Sequence, residues 1–228
     1  MPSGHLPIDV VAVDSGDVLV SDVSGRVTKF RSSGCLLAEW TGVFRGHSGR
    51  MAVTVGNDVL VTSAGESCIH RCREADGQRL ATFSLQWPER CPVVPDVSAI
   101  AINSQDEIVV VASNLRSPHF FDAGGRFLYR SSEADPEMVE DGPDSGPVEL
   151  PSAVCCDRFD NVLVADFLGN SVHLMSPGGL HLGRLLTKQR HGVACPVFVA
   201  LDQGGRLYVG QYGGDVVVFR YLSYVKHV

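Results

Sequence analysis

Five times along the chain a short apolar run closes on a small or polar residue. The phrases are Asp17-Val-Leu-Val-Ser-Asp22, Asp58-Val-Leu-Val-Thr-Ser63, Glu107-Ile-Val-Val-Val-Ala112, Asn161-Val-Leu-Val-Ala-Asp166 and Arg206-Leu-Tyr-Val-Gly-Gln211. Each is apolar on successive residues, the pattern of a strand buried on both faces. Each also lies between two further short apolar runs. In the fourth unit, Ser152–Cys156 leads to a turn at Asp157–Asp160, and the phrase Asn161–Ala165 follows. Asp166–Asn170 turns again, Ser171–Met175 alternates, and Pro177–Gly179 turns a third time before Leu180–Leu186. Four short strands joined by three turns predict an antiparallel meander.

The spacing is even. Pro151 and Pro196 are 45 residues apart, and Pro7 and Pro95 are 88 apart, or two units of 44. The 56 residues from Pro95 to Pro151 make one unit with an insertion of about a dozen residues, an ordinary loop length. Four-stranded units repeating at about 40–50 residues predict the blades of a β-propeller, since one twisted sheet cannot bury both of its faces alone. The expected fold is all-β, a single propeller domain over 1–228 with blades at 6–49, 50–94, 95–149, 150–195 and 196–228. The last unit has 33 residues, room for three strands. Four complete blades plus a partial fifth are therefore expected, as the C-terminal part of a larger ring.

The unit grammar runs Pro, apolar strand, Asp, polar turn, Val-rich strand ending in Asp, Gly/Asn turn, and an alternating strand leading to Gly-Gly. It resembles the NHL repeat, best at Leu150-Pro151 through Asp157, Asn161–Asp166, Gly169-Asn170 and Val172–Leu174. The final unit, Asp202–Leu222, is similar to the C-terminal end of tripartite-motif NHL proteins. That resemblance covers nearly the whole chain, although the second and third repeats depart from it. Ser63 replaces the terminal Asp of the second, and no Pro precedes Met51. The resemblance implies a six-bladed propeller that recruits partners for a ubiquitin ligase. The RING, B-box and coiled coil of such ligases have no counterpart in this sequence.

Composition narrows the chemistry. The 228 residues are 44% hydrophobic and 20% charged, with 24 Gly and 12 Pro, which suits a turn-rich globular domain. The formal charge of −7 disfavours general attraction to phosphates or anionic membranes. No apolar run is long enough to span a bilayer, and the N-terminal residues lack signal-peptide character. Seven cysteines without a C-x-x-C pair read as reduced thiols, so a cytoplasmic location is expected.

Several side chains invite chemical readings. Cys68, His70 and Cys72 share one strand face and could ligate zinc, but parallel side chains do not converge on a tetrahedron, and buried or edge thiols are preferred. His119 and His173 sit at equivalent blade positions, so a half-exposed repeat position is preferred to catalysis. Asp22 and Asp166 end their phrases. They could aim carboxylates at one rim or hold a cation, although turn hydrogen bonding is the simpler role. The acidic, Pro/Gly-rich segment 131–149 and the basic Lys188-Gln-Arg190-His191 fall between blades.

The expectation is a non-catalytic binding propeller with no cofactor or metal, holding a protein partner through rim residues such as Asp22, Asp166, Lys188 and Arg190. RNA binding is the alternative, and a metal-dependent hydrolase or lyase the third. No membrane or small-molecule partner is expected.

Overall fold

The computed structural model describes residues 6–41, 47–64, 68–89, 95–132 and 146–221. Most of the acidic insertion and the last seven residues therefore lie outside it. The described residues form five antiparallel meanders. The first comprises β1 (Pro7–Ala12), β2 (Val18–Asp22), β3 (Val27–Phe30) and β4 (Leu36–Trp40). The second comprises β5 (His47–Val53), β6 (Val59–Ala64), β7 (Cys68–Cys72) and β8 (Arg79–Ser84). The third is β9 (Val97–Ile102), β10 (Ile108–Ala112), β11 (His119–Phe121) and β12 (Phe127–Arg130). The fourth is β13 (Pro151–Cys156), β14 (Val162–Asp166), β15 (Ser171–Met175) and β16 (His181–Thr187). The last has three strands among the described residues: β17 (Pro196–Leu201), β18 (Arg206–Gln211) and β19 (Val216–Arg220). A single helical turn, α1 (Lys188–His191), joins β16 to β17.

The hairpins follow from local chemistry. Where a turn needs the left-handed region, the chain supplies short polar residues or glycine: Asn57, Asp106 and Asp160 carry positive φ in three equivalent turns. Asp157 Oδ1 accepts from the amides of Phe159 and Asn161, closing the turn before β14.

Two compact units can be distinguished. The first holds the first two sheets and the turn 122–127, and the second holds 95–121 and 128 onward. In the first unit, β2 and β6 bring Leu19, Val59 and Val61 together with Trp40, Met51 and Cys72 in one dry layer. In the second unit, the period-2 alternation of β14 serves two layers at once. Val162 and Val164 pack with Val109 and Val111 of β10, while Leu163 and Ala165 pack with Leu207 and Val209 of β18. All four β14 residues are fully buried, as the uninterrupted apolar phrase predicts. Each of the three larger side chains, Val162, Leu163 and Val164, contributes about 1.5–3 kcal/mol of transfer free energy.

Neighbouring first strands are pinned one period apart. Asp9 Oδ2 accepts from Met51 N at 2.7 Å in the first unit, and Ser152 Oγ donates to Pro196 O at 2.7 Å in the second. No helix among the described residues is long and apolar enough to cross a membrane.

Candidate functional site

The strand that ends each phrase carries a polar residue whose role the fourth sheet makes plain. Asp166 closes β14 with no exposed surface. Its Oδ1 accepts from Leu150 N and Gly169 N at 2.9 and 3.0 Å, and its Oδ2 from Glu149 N at 2.9 Å. The carboxylate thus holds the chain entering β13 and the turn leaving β14 at the same time. Its fit is tight: a Cβ on Gly169 would collide with Asp166 Oδ2. Burial pushes the Asp166 pKa up, but His173 and the three amide donors outweigh it and hold the carboxyl at about 2.

In the fifth sheet Gln211 does the same work, its Oε1 accepting from Ala194 N at 2.5 Å. Asp22 is buried as well, and its Oδ1 takes the amide of Ser24 at 2.8 Å and that of Arg26 at 3.3 Å. Burial raises the Asp22 pKa and these donors, with the Ser24 hydroxyl, bring it below the usual range. Asp22 and Asp166 are therefore interior fasteners. Both were expected at a partner-binding rim; the structure places them buried. The Asp166 oxygens and Asp22 Oδ1 accept from the chain's own amides, and Asp22 Oδ2 lies beside the Arg26 guanidinium.

Behind Asp166 lies a line of imidazoles. His173 Nε2 is 3.3 Å from Asp166 Oδ2 and 3.1 Å from Ser171 Oγ, and its Nδ1 is 2.8 Å from His181 Nε2. A carboxylate only accepts, so Nε2 carries the proton toward Asp166, and Nδ1 and His181 Nε2 share the next hydrogen bond. Burial, then the neighbouring His173 and Arg184, lower His181 to about 4. Ser171 and His173 are sealed, so no substrate atom reaches them.

Register extends the histidine equivalence to a third copy. His70 lies opposite Val61, His119 opposite Val110 and His173 opposite Val164, each the central residue of its apolar phrase. All three are buried, which corrects the half-exposed position expected for His119 and His173. For His119 burial lowers the pKa, against a hydrogen bond to Ser117 O at 2.9 Å. In β7, His70 Nδ1 is 2.9 Å from Thr82 Oγ1 and its Nε2 is 3.6 Å from Cys68 Sγ. Cys72 lies in the apolar layer, its thiol pushed up to about 11 by burial. Among the described residues no group of three or more His, Cys, Asp or Glu side chains is placed to hold a metal ion.

The surface residues gather at one end of the second unit. Strands alternate direction, so the β14–β15 turn, the β18–β19 turn and α1 lie at the same end. Tyr212 N donates to Cys195 O at 3.0 Å, and Cys195 N donates to Asn170 Oδ1 at 2.9 Å, which ties these segments together. Tyr212 is 76% exposed and meets Phe167 edge-on at 5.8 Å, and Leu168 beside it is 56% exposed. Lys188 and Arg190 are exposed on α1, which is capped by the Thr187 hydroxyl and ended by left-handed Gly192. Of the four predicted rim residues, the structure brings these two to the surface. Tyr212 and Leu168 were missed, because a lone aromatic or leucine in a turn carries no sequence pattern.

No protein-family profile matches the chain, and no curated protein matches it in sequence. Solved structures do match in shape. A Bacteroides caccae protein of unknown function aligns with a TM-score of 0.68 at 15% identity, over 96% of this chain and 79% of its own. A streptogramin B lyase aligns at 0.60 and 14%, over 93% and 68%. The RRP9 WD40 repeats align at 0.66 and 15%, over 96% and 61%. At such identities the likeness speaks to architecture alone, and that architecture is the all-β β-propeller.

Proposed function

We propose that the chain is a non-catalytic recruitment propeller that holds a protein partner at the end displaying Leu168 and Tyr212. One observation carries the reading. Two large apolar side chains stand 56% and 76% exposed on turns whose backbones are fastened at Gly169 N by Asp166 Oδ1 and at Tyr212 N by Cys195 O. Rigidly placed apolar side chains in variable turns suit protein recognition, since little ordering entropy is lost on contact. The sealing of Asp166, Ser171 and His173 supports a structural role for that constellation.

In its finer form the proposal makes the chain an NHL-type, six-bladed propeller selecting substrates for a tripartite-motif ubiquitin ligase. The repeat grammar of Leu150–Leu174 supports that form. RNA is the second reading, favoured by the exposed Lys188 and Arg190 at the same end.

A photo-crosslinker placed at Tyr212 tests the reading against one placed at Phe159, an exposed residue in the turn at the opposite end of the fourth sheet. The expected result is a saturable protein adduct from position 212 alone, weakened at least about tenfold by Leu168→Ser. Adducts equal from both ends, or none that saturates, would defeat the proposal. An RNA adduct that disappears steeply with salt would favour the second reading.

A further inference from the structure

The position two residues before the buried histidine differs between two copies of the repeat, and the difference is chemical. In β15 it is Ser171, fully buried, with its hydroxyl 3.1 Å from His173 Nε2. In β7 it is Cys68, partly exposed, with its sulfur 3.6 Å from His70 Nε2. The registers are equivalent, because Ser171 lies opposite Asp166 and Cys68 opposite Ser63. An oxygen or sulfur beside the imidazole Nε2 therefore recurs on two sheets. It is sealed in β15, where Nε2 carries its proton toward Asp166, and partly exposed in β7, where Ser63 stands at the Asp166 position.

From this arrangement we propose that Cys68 is a base-activated thiol and a site of oxidative modification by small hydroperoxides. In the proposed tautomer His70 Nε2 accepts from the Cys68 thiol, 3.6 Å away, and Nδ1–H donates to Thr82 Oγ1 at 2.9 Å. Thr82 thus orients the ring, and His70 stands as base to the sulfur, the arrangement that activates a nucleophile. The sequence position matters as well. A serine here would be inert toward peroxide, whereas a thiol is not.

In the reaction, the Cys68 proton passes to His70 Nε2 and Sγ attacks the nearer peroxide oxygen. The S–O bond forms and the O–O bond breaks. The departing hydroxide takes the proton from His70 and leaves as water. Sulfur is oxidised by two electrons to sulfenic acid, and the peroxide is reduced by two. The chain supplies internal comparisons: Cys35 is exposed between β3 and β4, and Cys72 is buried in the apolar layer.

The test uses the whole purified chain, hydrogen peroxide with a sulfenic-acid trap, and iodoacetamide as an independent probe, each site read by peptide mass spectrometry. Cys68 is expected to react at pH 7 about tenfold faster than Cys35 with either reagent. Its pH–rate midpoint is expected below the ordinary thiol value of about 8.5. In His70→Gln the rate and the midpoint fall into line with Cys35. In Thr82→Val the advantage shrinks several-fold while the melting temperature stays close to that of the wild type, which guards against a His70 variant that fails to fold. A Cys68 rate at or below that of Cys35, or one unchanged by both substitutions, overturns the proposal.

Discussion

Asp166→Asn isolates the interior fastener, because it keeps the shape of the side chain and removes one acceptor. The carboxylate receives four donors, two on each oxygen: Leu150 N and Gly169 N on Oδ1, Glu149 N and His173 Nε2 on Oδ2. An amide retains one accepting oxygen. With that oxygen at the Oδ1 place, its NH2 faces His173 and Glu149 N. His173 can change tautomer and accept, but a backbone amide cannot. One buried N–H is orphaned, at a cost of about 1–3 kcal/mol, and the remaining bonds lose their charge. The sum is about 2–4 kcal/mol at neutral pH. A chain of this size loses roughly 2–4 °C of melting temperature per kcal/mol, so a drop of about 5–15 °C is expected.

Acid supplies a second signature of the same substitution. The carboxyl titrates at about 2 in the folded chain and 3.8 outside it. The unfolded chain therefore takes the proton first, and the Asp166 contribution, about 2 kcal/mol, is present above pH 4 and lost as the pH falls toward 2. The difference between wild type and variant should accordingly narrow across that window in urea titrations followed by tryptophan fluorescence. A variant melting within about 2 °C of wild type at pH 7, with a gap that does not narrow in acid, would refute the fastener.

Gly169→Ala should destabilise by a similar amount, because its Cβ runs into Asp166 Oδ2; thermal melts of the two single variants and the double variant should show strong non-additivity. Gly77→Ala places a methyl group against the buried Trp40 ring at a φ of +71°; a loss of about 2 kcal/mol or more is expected in urea titrations, with a red-shifted tryptophan emission. His181 titrates at about 4 in the fold against 6.5 outside it. Its contribution is present above pH 6.5 and lost as the pH falls through 4, and after allowance for its half-exposed position it amounts to about 1 kcal/mol. Replacement by Gln should flatten that part of the pH–stability profile and leave the part below pH 4 in place.

The fold was legible because a strand buried on both faces must be apolar on successive residues, and Val162–Ala165 could hardly be read otherwise. Turn residues with positive φ fell where Asn57, Asp106 and Asp160 were available to take it. The site was harder to read. Asp166 looks the same in sequence whether it points to solvent or inward, and only the amides of Glu149 and Leu150 decide between them. His70 was hidden beside two cysteines, which suggested a metal, so its equivalence to His119 and His173 came only with the strand register. The single turn of α1 is too short for any helical period to announce it.

The two ends of the long insertion between the third and fourth sheets rest on one strand. Ser132 bridges to Leu180 and its carbonyl accepts from His181 N, while Gly146 lies against the Arg184 side chain. Along β16 those footholds are three or four residues apart, about 10 Å. Just beyond the second foothold, Asp166 fastens Glu149 and Leu150. A polypeptide inserted there enters and leaves through a narrow doorway with both jambs fixed to the frame. Because closing a larger loop over so short a span costs little more than closing a small one, an epitope, a fluorescent protein or a second binding domain could be grafted between Ser132 and Gly146 without loosening β16.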